Sequence, residues 1–162
     1  MIIEPAGAAD YEAICDALAE NDRLHVERTS DVFCPKVGPP RPMEWFLESI
    51  GTPDRTVLVA REGAAVVGVV EVLLKPPREG DGFVPRRVAV INDVVVRESW
   101  RGRGTGRALI EAAHEWAATK CADSVQLHVW SWNTRARDLY ERMGYGTRGF
   151  VMEVPLRGPR RA

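Results

Sequence analysis

A chain of 162 residues is long enough for one full hydrophobic core and too short for two comfortable ones, so a single domain over 1–156 with a short basic tail over 157–162 is expected. Its 22 lysines and arginines stand against 23 aspartates and glutamates, and a net charge of −1 gives no electrostatic case for nucleic acid as the main partner. Cys15, Cys34 and Cys121 are odd in number, far apart and lack a C-x-x-C pair, which argues against a disulfide framework or a zinc site. No stretch approaches the ~18–20 apolar residues of a membrane span, and the N-terminus Met-Ile-Ile-Glu-Pro lacks the basic flank and apolar core of a leader. A cytoplasmic protein with no metal and no membrane partner is the expectation.

Ile2-Ile3 predicts a short strand, followed beyond Pro5 and Gly7 by a helix from about Ala8 to Arg28 whose apolar side carries Tyr11, Ile14, Cys15, Leu18 and Leu24. Residues Thr29 to Arg41, rich in proline, predict an irregular segment flanking a substrate. Pro42 then starts a short helix that carries Trp45, Phe46 and Leu47 and stops at Gly51. Thr56–Ala60 and Val66–Leu74 are β-branched runs separated by Glu62-Gly63, a hairpin signal. Pro76 to Pro85 reads as a loop, Arg87 to Val96 as a long central strand, and Ala108 to about Lys120 as an amphipathic helix. Ser124 to Trp130 follows as a strand, making a strand-helix-strand crossover with parallel pairing. Thr134 to Met143 predicts a helix stopped by Gly144, and Tyr145 to Leu156 one or two closing strands. The sum is an α/β domain with a mixed, mostly antiparallel sheet of six or seven strands and about four helices.

The chemistry concentrates in Arg101-Gly102-Arg103-Gly104-Thr105-Gly106-Arg107, a glycine-rich turn from strand into helix. Glycines let the backbone approach an anion closely, and the unpaired amides of a helix's first turn supply donors and partial positive charge. Cations are disfavoured at a helix N-terminus by roughly 0.3–1 kcal/mol each, so Arg103 and Arg107 make best sense with an anion among them. A diphosphate is the natural candidate. The nucleotide P-loop needs Gly-x-x-x-x-Gly-Lys-Ser/Thr, and no such lysine is present; the dinucleotide pattern Gly-x-Gly-x-x-Gly meets Arg107 or Leu109 at its third glycine.

The pattern that fits is Gln/Arg-x-x-Gly-x-Gly/Ala, and with it the chain resembles the GCN5-related N-acetyltransferase (GNAT) family. Ile91-Asn92-Asp93-Val94-Val95-Val96 looks like that family's fourth strand, and Asn133 to Tyr145 like its Asn-x-x-Ala-x-x-Leu-Tyr-Glu-x-x-Gly-Phe segment. The resemblance implies a sheet splayed between the fourth and fifth strands, with acetyl-CoA as co-substrate in the cleft. Gly102 to Arg107, with Arg101, would hold the diphosphate, the backbones of Val94, Val95 and Val96 would pair with the pantetheine arm, Asn133 would hydrogen-bond that arm, and Tyr140 would lie near the sulfur. The implied reaction is N-acetylation of a primary amine by direct attack in a ternary complex. A transferase of another acyl-CoA and a non-catalytic CoA-binding regulatory module are the alternatives.

Such a reaction needs an ammonium of pKa near ~10 to lose a proton and a departing thiolate of pKa ~8–9 to gain one. Tyr140 is the expected general acid. Asp93 and Glu71 interrupt otherwise apolar strands and are the candidate bases, Asp93 standing by alternation on the face opposite Asn92 and Val94. His25 stands beside the acceptor-flanking segment, His114 reads as helix surface, Trp130 and Trp132 as packing, and Cys121 as the buried start of a strand. Glu27, Asp31 and Glu44 are carboxylates available to a cationic small-molecule or peptide amine. A homodimer is compatible with the resemblance.

Overall fold

Five strands, the central three rich in β-branched residues, build one sheet whose spatial order follows the chain: β1 (Ile2–Pro5), β2 (Arg55–Glu62), β3 (Ala65–Lys75), β4 (Val88–Val96) and β5 (Ser124–Leu127). This computed structural model describes residues 1–154 other than Glu79 and Asp81, together with Leu156; the tail over 157–162 lies outside the described residues. The first four strands pair antiparallel, whereas β5 joins β4 in parallel. A parallel neighbour requires a crossover, supplied by α3 (Thr105–Thr119). The other helices are α1 (Tyr11–Arg28), entered through a single 3-10 turn at Ala8–Asp10, α2 (Met43–Gly51) and α4 (Thr134–Arg142).

Alternation along the strands divides the core in two. Val57, Val59, Val66, Val69 and Val95 meet Ile14, Ala17 and Leu18 of α1 and Phe46 of α2 on one face. Leu58, Ala60, Val70, Val72 and Ile91 meet Leu109, Ile110, Ala113 and Ala117 of α3 on the other. α1, over β3 and β4, and α2, over β2, thus cover one face of the sheet, and α3 closes the opposite face.

Gly68 in β3 shows how tightly α3 is seated. A Cβ there would lie 2.9 Å from the Val95 carbonyl oxygen and 3.0 Å from Leu109 Cδ1, with backbone on one side and core helix on the other. Gly68→Ala is therefore expected to destabilise the fold by ~1–3 kcal/mol, since neither neighbour can retreat without unpacking. Thermal unfolding followed by circular dichroism checks it, with a fall of roughly 2–4 °C per kcal/mol for a domain of this size.

Three expectations need correction. The sheet has five described strands and not six or seven, because Tyr145–Val154 forms no ladder; Gly146 and Gly149 are poor strand residues, and no strand pairs with them. β5 ends at Leu127, three positions short of Trp130, because its pairing stops at Ile91. Immediately beyond, the register with β3 shifts from Val72↔Ile91 to Glu71↔Asp93, leaving Asn92 as an extra residue that bulges β4 and bends it away. Cys121 is exposed in the turn after α3 at φ +54, and so is no part of the core.

Candidate active site

The bulge at Asn92 opens the sheet. From Asn92 to Val96, β4 keeps β3 on one side and has no strand on the other among the described residues, so its backbone groups there face a cleft between β4 and the chain that follows β5. Bare strand backbone can pair with an extended, amide-bearing ligand as it would with another strand.

At the end of that bare edge lies the glycine turn. Gly102 at φ +79 and Gly104 at φ +86 adopt the left-handed conformation, and Gly104 is the N-cap of α3. The first bond at the helix end runs from the Ala108 N–H to the Gly104 carbonyl at 3.0 Å, which leaves the amides of Thr105, Gly106 and Arg107 directed out of the helix end. A Cβ at Gly106 would meet only ordinary contacts at 3.6 Å and beyond, which explains why Gly or Ala satisfies the motif there. The amides, together with the dipole, make an anion cradle.

The arginines of the turn are engaged. Arg101 Nε donates to the Val96 carbonyl at 3.0 Å, Arg103 stacks 4.8 Å over the Trp100 ring, and Arg107 pairs with Glu111 at 2.8 Å. Arg101 thereby ties the turn to the end of β4. A cavity of about 400 Å³ runs from Val94, Val95 and Val96 past Gly102, Gly104 and Gly106 to Arg101 and Arg107. Arg103 and the side chain of Thr105 do not border it; Thr105, the first residue of α3, has a buried side chain and offers its amide.

A second cavity, of about 600 Å³, lies on the α1 side. Its walls come from the end of α1 (Asp22, His25, Glu27), the proline-rich segment (Phe33, Lys36, Arg41), β4 (Ile91 to Val94) and the stretch after β5 (His128 to Trp130). The proline-rich segment is held down by the Tyr11 hydroxyl, which donates to the Arg41 carbonyl at 2.7 Å, and by Arg41 Nη2, which donates to Asp93 Oδ2 at 2.9 Å. Edge-to-face contacts link His128, Trp130, Phe33, His25 and Trp132 in series at ring separations of 5.4 to 5.6 Å. Trp132 Nε1 donates to Thr29 Oγ1 at 2.9 Å, fastening the chain after β5 to the end of α1. Trp130 therefore lines the cavity while Trp132 packs behind it. Glu27 borders this space, whereas Asp31 and Glu44 do not.

The two cavities share Asn21, Val94, Asn133 and Tyr140. Tyr140 is half-buried on α4, with its ring 5.7 Å from that of Tyr145, and burial raises its pKa above the ordinary phenol value. The hydroxyl stays protonated through neutral pH and is a competent proton donor. Asn133 caps α4, its Oδ1 accepting from the Ala136 N–H at 3.2 Å, so its amide NH₂ is the group left to face the cavities.

The two candidate bases separate clearly. Asp93 borders the larger cavity and is held by Arg41, which also lies 3.7 Å from Asp22. Strict alternation would send Asn92 and Asp93 to opposite faces; the bulge brings both to this cavity. Glu71 is 3% exposed and borders neither cavity. It accepts from Asn92 Nδ2 at 3.3 Å and lies 3.8 Å from Arg55 Nε. Burial raises its pKa, with Asp93 adding repulsion against the lowering effects of the Asn92 bond and of Arg55 and Arg41. His114 is not a solvated surface residue, since its Nε2 is 2.7 Å from the Tyr145 hydroxyl.

Sequence reasoning missed Arg41, Asp22 and Phe33 in the larger cavity and Arg135 and Arg142 in the smaller. Arg135 Nη2 would lie 3.4 Å from a Cβ at Gly102, which places a second source of positive charge against the turn. The seven-residue spacing of Arg135 and Arg142 puts them two turns apart on one side of α4, a signal that was readable. Among the described residues, no group of three His, Cys, Asp or Glu side chains is arranged to hold a metal ion, and no helix is long and apolar enough to cross a membrane.

Comparison with known proteins agrees with this geometry. The model of the acetyltransferase (GNAT) family matches residues 21–145. An uncharacterized N-acetyltransferase of Bacillus subtilis, YhfO, is 30% identical over 108 residues, covering 64% of this chain and 70% of that protein. Thialysine N-epsilon-acetyltransferase of Bos taurus is 37% identical over 54 residues, 33% of this chain and 32% of its own length. Among solved structures, a mutant of the BH1408 protein from Bacillus halodurans superposes with a TM-score of 0.90 at 27% identity, over 96% of this chain and 99% of that one. An aminoglycoside N-acetyltransferase in complex with CoA shares the fold with a TM-score of 0.68 at 15% identity, over 96% and 99%. The chain belongs to the acetyltransferase (GNAT) family.

Proposed function

We propose that the protein transfers the acetyl group of acetyl-CoA to a primary amine by direct attack, with both substrates bound at once. The observation that carries this reading is the junction at Tyr140, where a cavity ending in an anion cradle meets a cavity walled by carboxylates and aromatic rings. The diphosphate fits the amides of Thr105 to Arg107, with Arg135 and Arg142 nearby, and the pantetheine arm fits the bare edge of β4. The acetyl thioester then lies at Val94, within reach of an amine entering past Phe33.

Attack by the neutral amine on the thioester carbon forms the C–N bond and breaks C–S. The Tyr140 hydroxyl delivers its proton to the departing thiolate, while the proton lost by the ammonium passes to Asp93, directly or through water. Asp22, Glu27 and Asp93 on the wall of the larger cavity are matched in number by Arg23, Lys36 and Arg41, so individual carboxylates and not net charge would hold a cationic acceptor. The names of the bovine relative and of the aminoglycoside enzyme favour an aminated small molecule as acceptor. The cysteine spacing supports a reducing, cytoplasmic setting.

Release of free CoA from acetyl-CoA against polyamines, amino sugars, aminoglycosides, amino acids and peptides tests the reading. Amine-dependent release is expected with at least one class. Binding of acetyl-CoA with no release against any would favour a regulatory module, and release only with longer acyl chains another acyltransferase.

Asn133→Asp separates the two tasks of that residue. Aspartate keeps the cap acceptor, so unfolding stability should stay within ~0.5 kcal/mol of the original. It removes the NH₂ donor, so the KM for acetyl-CoA should rise by ~3–10-fold, as expected for one neutral hydrogen bond, in steady-state assays.

A further inference from the structure

His25, in the last turns of α1, is held by more contacts than a solvated histidine needs. Its Nδ1 lies 2.9 Å from the Asn21 carbonyl one turn earlier, and its ring meets Phe33 at 5.4 Å and Trp132 at 5.5 Å, both edge-on. Trp132 is itself fastened to Thr29. The ring is thus gripped from the helix, from the proline-rich segment and from the chain after β5. It is half-buried and borders the larger cavity.

These contacts decide which nitrogen carries the proton. A carbonyl oxygen only accepts, so Nδ1 is the donor, and in the neutral ring Nε2 is left with a bare lone pair. Among the described residues, the bond at Nδ1 is the only side-chain hydrogen bond His25 makes. A fixed acceptor without a partner on a cavity wall favours a ligand that brings a donor.

The surroundings narrow that donor. Asp22, three positions before His25 and on the same side of α1, is already faced by Lys36 at 3.3 Å and Arg41 at 3.7 Å. Asp93 is bonded by Arg41 and lies beside Val94, where the reacting amine arrives. A second ammonium near His25 would meet Lys36 and Arg41 as well as Asp22, whereas a hydroxyl needs no counter-charge.

We infer that His25 is a specificity-determining residue whose Nε2 accepts a hydrogen bond from a hydroxyl of the acceptor, so that the preferred acceptor is a primary amine that also bears a hydroxyl. The inference rests on the proposed transfer and names its acceptor class.

A length series of linear amino alcohols, each compared with the alkylamine and the diamine of the same chain, tests it by release of CoA from acetyl-CoA. At the best-fitting length the amino alcohol should exceed both partners in kcat/KM, and the alkylamine by ~3–10-fold, as for one neutral hydrogen bond. His25→Phe keeps the aromatic contacts and removes both nitrogens. It should level amino alcohol and alkylamine to within about twofold, with the KM for acetyl-CoA and the rate on the alkylamine unchanged. A preference that survives His25→Phe, no preference at any length, or a preference for the diamine would overturn the inference and leave the transfer standing. Absence of release with every amine would instead sink the transfer, and nitrogen-15 spectra of the imidazole would then decide the role of His25. In the CoA-saturated chain they should show a protonated Nδ1 and a bare Nε2 that shifts on adding the amino alcohol. A protonated Nε2 in the neutral ring, or one unmoved by saturating amino alcohol, would overturn the inference.

Discussion

Tyr140→Phe is expected to lower kcat by ~10²–10⁴-fold while the KM for acetyl-CoA changes by less than about threefold. The substitution keeps the ring, and with it the packing against Tyr145 and the shape of the junction between the cavities. Only the proton is removed. A thiolate of pKa ~8–9 leaving without a donor must carry full charge into a half-buried site, and burial, which raises the Tyr140 pKa, would penalise that charge as well. Steady-state rates with acetyl-CoA and a responsive amine measure the effect. An unchanged kcat would remove Tyr140 from the chemistry and leave it as a packed aromatic.

Asp93→Asn should lower the rate at neutral pH by ~10²-fold and abolish the acidic limb of the pH–rate profile, whereas Glu71→Gln should keep that limb. The difference follows from placement: Asp93 borders the acceptor cavity, and Glu71 lies behind it with no opening to either cavity. Glu71 has its own pH signature in stability. Its folded-state pKa is raised by burial, so its contribution is fully present below the ordinary glutamate value and is lost as pH rises through the folded value. Glu71→Gln should therefore gain thermal stability relative to the original chain as pH rises, without loss of the kinetic limb. A limb lost in Glu71→Gln and kept in Asp93→Asn would reverse the assignment. If both variants retain it, bulk water takes the proton.

What was readable before the structure was local. The turn from Arg101 to Arg107 is defined by spacing and by torsions at Gly102 and Gly104 that only glycine adopts easily, so adjacent residues sufficed. The helices and β2, β3 and β4 followed from periodicity, with boundaries shifted by a few residues at Thr105 and Leu127. The acceptor cavity was less legible because it depends on contacts between distant residues. Arg41 and Asp93 are 52 positions apart, and Trp132 reaches 103 positions back to Thr29. The bulge at Asn92 also hid from alternation, since one extra residue in β4 reverses the facing of every position on one side of it. The closing strands failed for a related reason: Tyr145–Val154 has strand-forming residues, but a strand needs a partner edge, which propensity cannot supply.

In the proposed reaction the donor occupies the bare edge of β4 and the glycine turn, leaving the Phe33 side free for the acceptor. Backbone amide resonances followed by nuclear magnetic resonance during titration with acetyl-CoA test it most directly. Saturable shifts are expected at Val94, Val95, Val96, Thr105, Gly106 and Arg107, with Asp22 and Phe33 little changed. Shifts centred on Asp22 and Phe33 with a silent glycine turn, or no shifts at all, would contradict it.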